Sequence, residues 1–132
     1  MIYALDTNTI SNLMRDDKNT MYHSNIAVDQ GHEFVIPIIV DYEVKRGLIA
    51  KGMYKRLRNY NRFSYDIDVV NFNYNVWETA TLIYANLSKI GRIVEDADIL
   101  IAALCLVNNY TLVTNNTKHF INIEGLKLEN WQ

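Results

Sequence analysis

The strongest constraint on the fold is an alternation. Short apolar runs of strand length recur along the chain, and each gives way to a segment whose apolar residues fall at helical spacing. Ile2 to Leu5 is the first run, and it ends in Asp6. Thr7 and Asn8 follow as capping residues for a helix expected to begin near Thr9. A second helix is expected from about Thr20 to Gln30, stopped by Gly31. Phe34 to Ile36 reads as the next strand, with Pro37 marking its end. From Ile38 the pattern turns helical, with Val40, Val44, Leu48 and Ile49 on one side up to about Lys51 and Glu43 one turn in. After Gly52, Tyr54 to Phe63 reads as a helix that is basic on one side, and Ile67 to Val70 as a third strand. Trp77, Ala80, Ile83, Tyr84 and Leu87 mark a helix from about Asn73 to Lys89, closed by Gly91. Asp98 lies near the start of another helix, whose Ile99, Ala102, Ala103 and Leu106 form an apolar stripe. Thr111 to Val113 is a strand running into the polar loop Thr114 to Thr117, and a last short strand is expected near Leu126 to Leu128.

Strands alternating with helices predict an α/β domain with a largely parallel central sheet and helices on both faces. The 132 residues, 49% of them hydrophobic, suffice for one sizeable core, and no Pro/Gly/Ser-rich linker divides them. One domain spanning residues 1–132 is expected. The longest apolar run, Ile99 to Val107, is far shorter than a membrane span, and no signal-type segment opens the chain, so a cytoplasmic protein is expected. Cys105 is the single cysteine and sits in an Ala/Leu-rich run, which predicts a packed thiol rather than a disulfide or a reactive group.

In parallel sheets ligands collect at the carboxyl ends of the strands. Asp6 and the loop Thr114 to Asn116 both fall at such ends, and Glu43 and Asp98 stand near helix starts that can face the same edge. Carboxylates that converge without basic partners repel one another, which points to a bound cation. All-oxygen donors suit Mg²⁺ or Mn²⁺. Zinc finds no support, since His23, His32 and His119 are isolated in sequence and Cys105 is alone. A hydrated divalent cation polarises a phosphoryl oxygen and favours hydroxide, the chemistry needed to cut a phosphodiester. Each acid also has a plain structural reading: Asp6 as a helix cap, Glu43 as a solvated helix residue, Asp96 and Asp98 as complements to a helix dipole. Within a regular helix Asp96 and Asp98 point about 200° apart, so only one can face the metal. Asp96 is expected to cap the helix with its side chain.

The formal net charge of −2 is unevenly spread. Lys45, Arg46, Lys51, Lys55, Arg56, Arg58 and Arg62 are seven of the thirteen bases, and no acid lies between Val44 and Tyr65. Such a patch can guide an RNA backbone to an acidic pocket, with Lys45, Arg46, Arg56 and Arg58 as candidates for phosphate contact. Tyr42, Tyr54, Tyr60, Phe63 and Tyr65 either stack on unpaired bases or pack into the core or an interface.

Four blocks in order, LDTNTIS, IPIIVDYEVKRG, DADILIAA and TLVTNNTKHFINIEGLKLENW, resemble VapC-type PIN-domain toxins over nearly the whole chain. The resemblance implies a sequence-selective endoribonuclease using Mg²⁺ or Mn²⁺. It further implies a transfer or ribosomal RNA substrate, an antitoxin protein that wraps the toxin and blocks its site, and a homodimer. Matched block to block, the catalytic and metal-binding acids fall on Asp6, Glu43 and Asp98, with Asp96 and Asn116 as accessory candidates. Many members carry a fourth acid where this chain has Asn116, which puts two metals in doubt and favours one. Other readings fit less well. An aspartyl phosphatase wants a second Asp where Asn8 stands, and a receiver domain wants paired acids near the first strand and a late Lys. A catalytically degenerate PIN fold that only binds RNA or protein remains the alternative, opposed by the retention of all three acids.

Overall fold

Ile2–Leu5 forms β1, whose Tyr3, Ala4 and Leu5 are all buried, as a strand flanked by others and covered on both faces must be. The computed structural model describes residues 1–132. Its remaining strands are β2 (Glu33–Pro37), β3 (Asp68–Val70), β4 (Thr111–Val113) and β5 (Lys127–Glu129). They pair in parallel throughout, in the order β3-β2-β1-β4-β5, with Tyr3 opposite Phe34 on one side and Thr111 on the other.

The helices are α1 (Thr7–Met14), α2 (Lys18–Asp29), α3 (Ile38–Ala50), α4 (Tyr54–Ser64), α5 (Tyr74–Lys89), α6 (Asp96–Asn108) and the single turn α7 (Thr117–Phe120). The path β1 to β2 to β3 runs one way across the sheet, and β3 to β4 to β5 runs back. Right-handed crossovers therefore place α1 to α4 on one face and α5 to α7 on the other. The packing agrees, since α1 meets α2, α3 and α4 while α6 meets α5 and α7. The expected single α/β domain with a parallel sheet between helical layers is what the chain forms. No helix is long and apolar enough to cross a membrane.

Several local expectations shift for identifiable reasons. Helix α1 starts at Thr7, two residues early, because Asp6 itself is the cap: its backbone is extended and its carboxylate accepts the Thr7 N–H at 2.8 Å. On α5 the buried stripe is Val76, Ala80, Ile83 and Leu87, whereas Trp77 and Tyr84, each one residue off that stripe, are exposed. Similarly, Val40 is buried on α3 but Ile49 is exposed. Asp96 does not cap α6: it is the first helical residue, exposed, and the cap position belongs to Glu95, which makes no side-chain capping bond. The turn α7, which begins at the last residue of the expected loop, has no counterpart among the elements expected from sequence, since four residues are too few for a period to show. Its Phe120 is fully buried and pins it. Gly31 and Gly91 follow α2 and α5 with φ of 78° and 69°, the left-handed conformation that ends a helix. Cys105 is buried among the core side chains of α6, as expected.

Candidate active site

The carboxyl ends of β1 and β4 lie side by side where the strand order changes direction, the usual place for a ligand crevice in such sheets. Asp6 leaves β1 here and Thr114 leaves β4. The ladder continues through Asp6, whose N–H donates to the Val113 carbonyl at 3.0 Å. Thr114, wholly buried, donates its hydroxyl to Asp6 Oδ2 at 2.8 Å and accepts the Asn116 N–H at 3.1 Å. Asn8 completes the lattice. Its amide lies 3.4 Å from both Asp6 Oδ2 and Thr114 Oγ1, and its carbonyl oxygen accepts the Asn115 N–H at 2.9 Å. The Thr9 hydroxyl bonds the Val113 carbonyl at 3.0 Å.

Asp6 is thus fixed in place and only 6% exposed, yet no cationic side chain pairs with it. Burial pushes its carboxyl above the ordinary carboxylate range, the bonds from Thr114 and Thr7 pull the other way, and the charge of Asp98 adds to the rise. Glu43, half-buried on α3, is also raised, first by burial and then by Asp6. Arg46 opposes this, and Asp98 and Glu95 add to it. The structure therefore brings Asp6, Glu43 and Asp98 into one electrostatic cluster, with Glu95 as a fourth acid at its margin. No three His, Cys, Asp or Glu side chains stand within reach of a single ion, so the cluster is loose rather than a closed chelate.

Asp98 is not without a basic partner. His119, on α7, places Nδ1 3.0 Å from Asp98 Oδ2, so this histidine, isolated in sequence, belongs to the site. Asp96 does not join the cluster and instead lines a groove between α5 and α6 with Trp77 and Tyr84. Asn116 stands exposed at the mouth of the site, tied to it through its backbone N–H.

The basic candidates separate. Lys45 pairs within α3 with Asp41 at 3.0 Å, whose other oxygen accepts the buried Tyr60 hydroxyl of α4 at 2.8 Å. The Arg46 guanidinium lies over the Tyr42 ring, 5.0 Å from its centre. Arg56 lines a cavity that Glu43 also lines, together with Lys51 and Arg15, while Arg58 is exposed away from it. Of the aromatics, Tyr60 is buried and Phe63 packs beside it, leaving Tyr42, Tyr54 and Tyr65 exposed.

A parallel sheet in the order β3-β2-β1-β4-β5, with Asp6 at its carboxyl edge, is accompanied by a match in sequence. Residues 3–126 fit the PIN domain. The chain belongs to the PIN-domain family. Ribonuclease VapC2 of Rickettsia felis is 30% identical over 134 residues, spanning 99% of this chain and 98% of that protein. Ribonuclease VapC1 of Methanocaldococcus jannaschii is 33% identical over 95 residues, 70% of this chain and 68% of that one. Among solved structures, VapBC2 from Rickettsia felis, bound to a DNA fragment from their promoter, superposes with a TM-score of 0.89 at 28% identity over the full length of both chains. VapBC-1 from nontypeable Haemophilus influenzae gives 0.84 at 28% identity over 99% of this chain and 98% of the other. Within this PIN domain, sequence reasoning missed the orienting roles of Asn8 and Thr114, the contact of His119, and Arg15 at the cavity. The residues TNN after β4 were the one signal pointing to Thr114.

Proposed function

We propose that this PIN-domain protein is an endoribonuclease, the toxin of a VapBC-type pair, which cleaves RNA with Mg²⁺ or Mn²⁺ held by Asp6, Glu43 and Asp98. The observation that carries the reading is Asp6: a buried carboxylate, gripped by Thr114, Thr7 and Asn8, raised in pKa and unpaired with any cation of the chain. Uncompensated charge at that cost is what a cation would relieve. The donors fit a hard ion that retains several waters, since they are all oxygens and the cluster is open enough to bind partly through water. Such an ion, when bound, polarises a phosphoryl oxygen and lowers the pKa of attacking water.

The chain's own groups do the rest. Thr114 and Asn8 orient Asp6, His119 fixes one oxygen of Asp98, and Arg15, Lys51 and Arg56 offset the repulsion between the RNA backbone and the acids. A cytoplasmic transfer or ribosomal RNA is the proposed substrate class. The likeness to VapBC assemblies supports a VapB-like antitoxin as partner. A homodimer, which the family resemblance implies, would cover the exposed Trp77 and Tyr84 on one face of α5. Asp96 and Asn116 are left as contributors through water at most. Incubating the purified chain with transfer and ribosomal RNA in EDTA, and then with Mg²⁺ or Mn²⁺ restored, tests the reading. Cleavage should need the metal. Activity in thoroughly chelated protein would refute the cation's role, and no cleavage of any RNA with either metal would refute the nuclease.

A further inference from the structure

Between α1, α3 and α4 lies a cavity of about 510 Å³ that opens beside the acidic cluster, since Thr7 and Glu43 form part of its wall. Its lining is of two kinds. Ile10, Met14, Val44, Leu48 and Met53 are apolar and buried or half-buried, so they make its floor. Arg15, Lys51 and Arg56 are exposed and stand around its mouth, three cations against the single acid Glu43.

Gly47 supplies an independent observation. It also lines this cavity, within α3, and a Cβ built on it would meet nothing within 4 Å. Its backbone is ordinary helix, so no turn or positive φ requires glycine. Glycine weakens a helix interior relative to any larger helix former. Close approach of a neighbouring element does not explain it either, because there is none. What the missing side chain leaves is room inside the cavity.

We propose that this cavity is a nucleotide subsite, in which one unpaired base of the RNA lies over Gly47 against Met14, Leu48 and Met53 while Arg15, Lys51 and Arg56 hold the phosphate beside it. The inference rests on the ribonuclease reading and deepens it. A ribonucleotide presents a flat, polarizable ring a few bonds from an anionic phosphate, and the cavity offers the matching pair of surfaces. Methionine thioethers make favourable contacts with aromatic rings, and two of the floor residues are methionines. The volume lies within the range of roughly 300–1,000 Å³ typical of small-ligand pockets. Because Glu43 is shared, the enclosed base is adjacent to the bond being cut. A base can enter only when splayed from a helix, so cleavage falls in single-stranded segments and shows a base preference at one position next to the cut.

The test fills the space. Gly47→Leu adds a good helix former where a Cβ has no neighbour, so the variant should fold and melt at or above the wild-type temperature. Binding of a short, mixed-sequence, single-stranded RNA is measured by fluorescence anisotropy in EDTA, where cleavage is stopped. Gly47→Leu should weaken it about tenfold, the effect of losing one enclosed base, while Gly47→Ala stays near wild type. With metal restored, sequencing the cut ends from a randomised RNA pool should show the preference next to the cut flattened in Gly47→Leu. A folded Gly47→Leu that binds and cuts like wild type, with the same preference, overturns the subsite and leaves the nuclease standing. A wild-type chain that cuts no RNA but binds it in a Gly47-dependent way supports the subsite and sinks the nuclease. If Gly47→Leu binds RNA normally but no longer binds the protein encoded beside it, the cavity is a protein subsite and the proposal is wrong.

Discussion

Thr114→Val removes one hydroxyl from the site and keeps the shape of the side chain. That hydroxyl is wholly buried, donates to Asp6 Oδ2 at 2.8 Å and accepts the Asn116 N–H at 3.1 Å. The Asn116 N–H loses the same partner at every pH, so it does not enter the pH dependence. Asp6 cannot compensate, because its remaining donors are Thr7 N–H at 2.8 Å and the Asn8 amide at 3.4 Å. A hydrogen bond to a charged group contributes about 1.5–3 kcal/mol, against about 0.5–1.5 kcal/mol between neutral ones. The cost of the substitution therefore depends on whether Asp6 is ionised.

The sign follows from linkage. The Asp6 carboxyl is already raised in the fold, so its contribution to stability is fully present below its unfolded pKa and is lost as pH rises through the folded value. Removing Thr114 removes a bond that pulls this carboxyl down, and the folded value climbs further. The gap in stability between wild type and Thr114→Val should thus widen from below about pH 4, the unperturbed Asp range, to neutral pH. Near neutral the loss of about 2 kcal/mol corresponds to roughly 6–10 °C in melting temperature for a domain of this size. Urea unfolding at acidic and neutral pH in EDTA measures the gap, and the pH profile of cleavage should show its acid limb moved upward. An equal loss at both pH values with an unmoved profile would mean that Thr114 does not hold the charged form, and the orienting role assigned to it would fall.

Asp98→Asn should nearly eliminate cleavage with little change in melting temperature, because relief of repulsion among the acids offsets the weakened contact with His119. Asp96→Ala removes no capping bond, so it should cost less than about 1 kcal/mol and keep activity; inactivity of the folded variant would place Asp96 in the site. In salt titrations of RNA binding, Arg56→Ala should flatten the dependence more than Arg58→Ala, since only Arg56 lines the cavity; equal effects would dissociate the cavity from RNA contact. Tyr60→Phe takes the hydroxyl from Asp41 and should destabilise the chain by about 1–2 kcal/mol in urea unfolding; an unchanged midpoint would mean that Lys45 alone suffices to hold Asp41.

What the sequence disclosed and what it hid divide along the range of the interactions. The strands around Leu5, Ile36 and Leu112 were readable because burial on both faces leaves an apolar run in the sequence itself. Asp6 was readable as the polar end of such a run. Trp77 and Tyr84 mark α5 by their spacing yet are exposed, because a one-residue shift in phase turns a helix by only 100°, within the breadth of an apolar stripe. Asp96 and Glu95 lie next to each other, and either could begin the helix; only the backbone decides. The site's hydrogen bonds were out of reach. Asn8 and Thr114 meet across a separation of 106 residues, and His119 and Asp98 across 21, and nothing local to either partner encodes the pairing. The basic segment was legible as charge, but its division among Asp41, Tyr42 and the cavity depends on how α3 and α4 pack.

Four buried or helical oddities gather in one part of the molecule. Asp6 is a buried acid without a counter-ion, Gly47 interrupts a helix without steric need, and Thr7 Oγ1 and Asn12 Nδ2 are buried without partners. All four lie on the β1–α1 segment or on α3, the elements that carry Asp6 and Glu43 and wall the cavity. On the other face of the sheet α5 and α6 bury apolar stripes, and Asn73 caps the start of α5 as Asp17 caps α2. Unfavourable features tolerated in one place are expected where ligands complete the structure. A cation beside Asp6 and a base over Gly47 would each relieve one of them, so both ligands should raise the melting temperature of the wild-type chain by mass action. The Asp6→Asn variant should lose the gain from Mg²⁺ and keep that from RNA, and Gly47→Leu should keep the gain from Mg²⁺ and show a smaller one from RNA. Thermal scans of the two variants with each ligand decide the matter. If either variant loses both gains while folded, the two sites are one, and the division between cation and nucleotide drawn along α3 is mistaken.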